Sequence, residues 1–253
     1  MRLLISAILF LFIISCTAED KSNDTSSNSS NVNSKTVLIN DNLENAPCVI
    51  RLSGEIDNQY PVKMTLSIAK NEIYGYYYYE KYKTKIPLIG HIEDTIIFLS
   101  ESPSDDDINN ISFNGELKDD SLKGQWKNNI DNKKMSFKLK IKEIEETYQS
   151  SIAGNYKGVN NTNKSKRKLN IRSIDENNLL FDISVSNTNG CSGHLINIIE
   201  IENDSTGMYS GELCKELKFH FTDSVINVSE NECEWHGTRC SFTEKYIREN
   251  ERD

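Results

Sequence analysis

The chain has 253 residues, with 38 acidic against 29 basic side chains and a formal net charge of −9. That balance argues against a nucleic-acid partner, which needs clustered Lys and Arg, and against adhesion to anionic lipid through surface charge. A hydrophobic fraction of 37%, with 11 Tyr and 9 Phe, suffices for small cores in one or two domains.

Residues 1–15 read as a signal peptide: Arg2 gives a positive start, and residues 3–14 are apolar apart from Ser6. The run is too short to span a bilayer comfortably as a retained helix. Ile13-Ile14-Ser15-Cys16 resembles the lipobox of bacterial lipoproteins. The resemblance implies cleavage before Cys16, a diacylglycerol on its thiol and an acyl chain such as palmitate on the new amine. It also implies a place in the cell envelope, at the outer membrane. Cleavage removes Arg2 and takes the formal charge from −9 to −10. Membrane contact would then run through acyl chains, of which one anchors marginally and two or three stably. The competing reading is an ordinary cleavable signal with a chance cysteine.

Residues 16–44 carry this cysteine and a tether. The tether is rich in Ser, Asn and Thr and cannot bury enough surface to offset its ordering entropy. Ala18-Glu19-Asp20 is similar to the surface-export signals of some Gram-negative lipoproteins, although an incidental polar linker fits the same residues.

From Cys48 onward, apolar and polar residues alternate with period two between short polar turns. Strands are expected over 49–56, 60–69, 72–79, 85–92, 95–100, 108–117, 122–127 and 135–141. The links, such as Asp57-Asn58 and Glu93-Asp94, suit tight hairpins. Eight strands in such a meander can close into a small barrel. The charged stretch 142–149 reads as a boundary with room for a helical turn. Strands follow over 152–157, 168–174, 179–185, 194–201, 207–212, 217–221, 225–228 and 240–247. The fold expected is therefore all-β: two consecutive antiparallel eight-stranded, barrel-like domains over 45–143 and 150–248. Leu52-Ser-Gly54-Glu-Ile56 and Ile152-Ala-Gly154-Asn-Tyr156 open the two halves alike, a hint of duplication.

The run Tyr60-Pro61-Val62-Lys-Met64-Thr-Leu66-Ser-Ile68, Ile73-Tyr-Gly75-Tyr76-Tyr77-Tyr78, Ile86-Pro-Leu88-Ile-Gly90-His-Ile92, Phe113-Asn-Gly115-Glu-Leu117 and Leu122-Lys-Gly124-Gln-Trp126 resembles a β-domain of uncharacterised bacterial envelope lipoproteins. The resemblance covers residues 48–141 and implies fold and location, with no activity attached. The half running from Gly190-Cys191 to Tyr246 is similar to a cysteine-bearing β-module of small secreted bacterial proteins.

Export favours disulfides among Cys191, Cys214, Cys233 and Cys240. Zinc is the rival, but Cys233-x6-Cys240 is wide for a zinc knuckle. Three connectivities are open, and a short hairpin favours Cys233–Cys240, which leaves Cys191 with Cys214. Cys48 reads as a buried free thiol.

The densest local anomaly is the tyrosine run. On a strand, Tyr74, Tyr76 and Tyr78 share one face, and Tyr77 and Tyr79 the other. They are candidates to grip a sugar or peptide. Alternatively, one row fills the barrel and the other is a half-buried outer row. Trp235 and His236, in the tight loop between Cys233 and Cys240, are the remaining binding candidates. His91, His194 and His220 fall within strands without metal-binding spacing. Ser102-Pro103-Ser104-Asp105-Asp106-Asp107 lacks the alternating ligands of a calcium loop and reads as a solvated acidic loop. Lys164-Ser-Lys166-Arg167-Lys168 reads as an exposed basic turn. No nucleophile elbow, phosphate loop or His-Glu-x-x-His occurs.

The function expected is a non-catalytic, lipid-anchored binding module for a protein, peptide or glycan, with no catalytic residue, metal or cofactor assigned. A lysozyme inhibitor is one alternative, on opposite charge. A small-ligand carrier or a hydrolase is another; bulky inward residues lean against a carrier cavity.

Overall fold

The computed structural model describes residues 47–101, 111–211 and 213–249. The signal peptide, Cys16, the tether and the acidic loop from Ser102 to Asp107 lie outside them. The fold is all-β: sixteen strands form two consecutive closed antiparallel barrels of eight strands each.

The first barrel comprises β1 (Cys48–Ile56), β2 (Tyr60–Ala69), β3 (Glu72–Tyr79), β4 (Ile86–Glu93), β5 (Ile96–Glu101), β6 (Ile111–Lys118), β7 (Ser121–Asn128) and β8 (Lys134–Glu146). Each pairs with its chain neighbour, and β8 closes on β1 from Ile56↔Phe137 to Cys48↔Glu146. The alternation dictates this. Val62, Met64, Leu66 and Ile68 of β2, or Met135, Phe137, Leu139 and Ile141 of β8, all face one buried interior. At about 1.5–3 kcal/mol per fully buried large apolar side chain, these rows hold the closure. Asp57 and Asn58, the central residues of the turn in the three-residue link 57–59, both take positive φ, at 57° and 51°, which Asp and Asn tolerate. Cys48 is buried and free, and burial pushes its thiol pKa up.

The second barrel comprises β9 (Gly154–Gly158), β10 (Ser165–Asp175), β11 (Asn178–Asn187), β12 (Ser192–Asn203), β13 (Thr206–Gly211), β14 (Cys214–Thr222), β15 (Val225–Cys233) and β16 (Glu244–Arg248). It closes through the short β9, which pairs with both β10 and β16. Arg248 secures this seam. Its guanidinium donates to the Ala153 carbonyl at 2.8 Å and lies over the Tyr156 ring at 5.0 Å.

Three expectations need correction. Residues 142–146 form no helical turn: they prolong β8, because β1 continues far enough to pair with them. The basic turn is shorter than its composition suggests. Lys166, Arg167 and Lys168 belong to β10, and Arg167 Nε lies 3.8 Å from Glu244. The disulfides are Cys191–Cys240 and Cys214–Cys233, not Cys233–Cys240 and Cys191–Cys214. Cys214 and Cys233 face each other across the β14–β15 ladder. Cys240 instead lies in the link before β16, which folds back onto Cys191.

The barrels dock side by side. Tyr76 of β3 packs with Ile174, Leu180, Ile196 and Ile198 of β10–β12, flanked by Tyr74, Tyr78 and Ile89. Asp175 is 3% exposed at this seam. A buried carboxylate requires partners, and it has four. They are Asn178 Nδ2 at 2.7 Å, Asn177 N at 3.0 Å, the Tyr76 hydroxyl at 3.2 Å and Arg51 at 3.4 Å. Lys85 bridges Asn178 Oδ1 at 2.7 Å and Glu200 at 2.6 Å.

Candidate functional site

The structure divides the sequence-selected tyrosines between two buried roles. Tyr74, Tyr76 and Tyr78 point outward and build the seam between barrels. Burial pushes Tyr76 up to about 12. Tyr77 points inward and is fully buried. Its hydroxyl donates to Glu101, and burial raises the pKa of both groups. Tyr79, the last residue of the inward row, reaches an opening at the barrel end.

That opening follows from topology. In an antiparallel meander, the links after odd-numbered strands lie at one end of the barrel. In the first barrel this end carries the β1–β2, β3–β4 and β7–β8 links. They set a cavity of about 350 Å³ lined by Gln59, Tyr60, Pro61, Tyr79, Lys81, Tyr82, Trp126, Lys133 and Met135. Its floor is Trp126, 5% exposed, and Met135. The Trp126 indole N–H is buried without a hydrogen-bond partner among the described residues, unusual for a buried indole. Its walls are Tyr60 and Tyr79, edge to face at 6.5 Å. From Tyr79 the aromatic contacts continue inward to Tyr77 at 5.6 Å, then Phe113 at 5.1 Å and Phe137 at 5.4 Å. The mouth is thus backed by a rigid, filled interior.

Apolar side chains are also presented on this rim. Tyr60, Tyr82 and Ile130 are 39%, 66% and 66% exposed. Scattered exposed apolar residues need no explanation, but a cluster around a cavity marks a contact surface. Among the lining residues only Lys81 and Lys133 carry charge.

The equivalent end of the second barrel holds Trp235 and His236. The β15–β16 link, residues 234–243, folds across this end. Phe242 enters the core completely. Glu230 accepts from the Ser241 hydroxyl at 2.6 Å and from Phe242 N at 3.0 Å, and lies 3.1 Å from His236 Nε2. His236 meets Phe242 edge-on at 5.0 Å and bridges to Gly193. A Cβ on Gly193 would lie 2.3 Å from that of His236, so the close approach depends on glycine. His236 is consequently largely packed, with a side chain 9% exposed, whereas Trp235 is 39% exposed. The Ser241 hydroxyl points to the Glu230 carboxylate rather than to the His236 imidazole, so these residues do not form a Ser–His pair.

The other histidines serve the surface. His91 stacks on Phe98 at 5.0 Å, and His194 lies 2.9 Å from Asp182. Although burial raises the Asp182 pKa, its bonds with His194 and Asn170 outweigh this and lower it. No group of three or more His, Cys, Asp or Glu that could hold a metal occurs among the described residues.

Sequence reasoning grouped Tyr82 with the tyrosine run but missed Tyr60, Trp126 and Met135, which come from separate hairpins. The signal was present in the meander itself: alternate turns share an end, so the aromatic residues flanking those turns converge. No protein-family model, curated protein or solved structure matches this chain.

Proposed function

We propose that the chain is a lipid-anchored cell-envelope lipoprotein, held at the outer membrane by acyl chains on Cys16, and a non-catalytic binding module. The mouth of the first barrel is its contact surface for a protein, peptide or glycan. The observation that carries this reading is the open aromatic cavity of about 350 Å³ with exposed Tyr60 and Tyr82 on its rim. Tyrosine and tryptophan supply large contact area at low conformational cost. Interiors filled by Phe113 and Phe137 in one barrel and Phe181 and Phe219 in the other favour binding at the rim over carriage of a ligand inside. Lys81 and Lys133 on the lining do not suit a basic partner such as a lysozyme at this mouth.

The test is a photoreactive phenylalanine in place of Tyr82, with Tyr148, also exposed, as the control position. In intact cells or envelope fractions, a discrete adduct is expected from Tyr82 and none from Tyr148. Adducts from Tyr148 alone would locate binding elsewhere. Mass spectrometry of the mature amino terminus tests the anchor: an unmodified Cys16 would refute it.

A further inference from the structure

The two barrels finish the same end differently. In the second, residues 234–243 cover the end. Phe242 fills the core, Glu230 holds the backbone behind it, and Cys191–Cys240 staples the segment in place. In the first, the corresponding β7–β8 link is only residues 129–133. It is a tight turn closed by Asn128 N–H to the Lys133 carbonyl at 2.9 Å. Its apolar residue Ile130 stands 66% exposed. No residue of that turn does for Trp126, Tyr79 and Met135 what Phe242 does for the second core, and a cavity remains.

From this contrast, and resting on the binding role proposed above, we infer that the mouth of the first barrel is a socket for another protein's segment. That segment carries a large apolar side chain, preferably aromatic, beside acidic residues. The side chain supplies in trans what Phe242 supplies in cis. Size permits it: an apolar cavity of ~150 Å³ already holds a benzene ring, and this one measures about 350 Å³. Surface chemistry favours it, since Tyr60, Tyr79, Trp126 and Met135 offer ring faces, ring edges and a polarisable sulfur. Charge selects the flanks. The chain's net charge is −9, yet the charged groups lining the cavity are both lysines, Lys81 and Lys133. Opposite charge on the incoming segment speeds encounter and fixes register, while like charge repels.

The test uses the whole chain carrying Trp235→Phe, so that Trp126 is the single indole reporter. Three short blocked peptides are titrated: Asp-Phe-Asp, Lys-Phe-Lys and Asp-Ala-Asp, together with a chitin oligosaccharide. The Asp-Phe-Asp peptide is expected to change Trp126 emission saturably. Lys-Phe-Lys should bind at least fivefold more weakly at low salt, with the gap closing as salt rises. Asp-Ala-Asp should be at least tenfold weaker. Lys81→Glu with Lys133→Glu, both on the surface and safe for folding, should reverse the charge preference. Equal binding of all peptides, tighter binding of the oligosaccharide, or a preference unmoved by the charge reversal would overturn the inference. So would a concentration-dependent dimer that buries Trp126 without peptide. If the Tyr82 position captures a partner while no aromatic peptide binds, this inference fails and the broader binding role survives. If Tyr82 captures nothing and Tyr148 does, the broader role of this mouth fails.

Discussion

Tyr76 and Asp175 belong to different barrels, so a double-mutant cycle between them measures whether the barrels are docked in solution. Tyr76→Phe removes one donor from a buried carboxylate. Hydrogen bonds to charged groups contribute about 1.5–3 kcal/mol. This one is long for O–H···O at 3.2 Å, and Asp175 keeps Asn178 at 2.7 Å and Asn177 at 3.0 Å. The low end, about 1.5 kcal/mol, is therefore expected. Asp175→Asn preserves shape but replaces an acceptor oxygen with a donor facing donors. Arg51 retains Glu143 and Glu145, so the cost should be about 2 kcal/mol rather than the full penalty of a stranded charge. The double variant should fall short of the sum by about 1 kcal/mol, well above the ~0.3–0.5 kcal/mol scatter of independent sites. Urea unfolding followed by circular dichroism reads all four corners. Single variants that cost nothing, or costs that simply add, would refute the docked arrangement.

Burial raises the Glu101 pKa. A group whose folded pKa lies above its unfolded value contributes stability below the unfolded pKa and loses it as pH rises through the folded one. Glu101→Gln, which keeps an acceptor for Tyr77, should therefore raise stability at neutral pH and change nothing once the medium is acid enough to protonate the wild type. A penalty that persists at neutral pH would contradict this. Tyr76 follows the same sign: burial moves it from 10.0 to about 12. In a spectrophotometric base titration its phenol should remain neutral past pH 10, with stability falling between roughly pH 10 and 12. Ionisation of every tyrosine together near pH 10 in the folded protein would be the contrary result. Removing Cys191–Cys240, with a separation of 49 residues, should cost about 4 kcal/mol on the chain-entropy relation, and Cys214–Cys233, separated by 19, about 3 kcal/mol. Urea midpoints of the paired Cys→Ser variants check both values, and losses under ~1 kcal/mol would count against the loop-closure account.

Period-two alternation made the barrels legible. The bounds of β2 and β3 coincide with those read from the sequence, because each carries an inward row of buried apolar residues, Val62 to Ile68 and Ile73 to Tyr77, and the two strands meet at a tight turn. Legibility ended where a strand lacked that contrast. Residues 142–146 and 229–233 are strands because the facing strand runs on beside them. The cysteine pairing was lost with the latter. Without the ladder extending to Cys214 and Cys233, their direct opposition is invisible. The seam left a trace that went unused. Leu179-Leu180-Phe181, Leu195-Ile196 and Ile198-Ile199 are apolar at successive positions, the mark of strands buried on both faces. The mouth was least legible, since only closure of the barrel brings Tyr60, Tyr79, Trp126 and Met135 together.

The role of that mouth is tested most directly by the affinity of the partner captured at Tyr82, measured by calorimetry against three forms of the chain. Tyr60→Ala with Tyr82→Ala removes two exposed rings without touching the core. On the scale of interface hot spots, about 2 kcal/mol or more, affinity should drop some 30-fold. Tyr148→Ala should leave it within about twofold, the effect of a residue outside the hot spot. An unchanged affinity in the double variant, or a loss confined to Tyr148→Ala, would contradict the account.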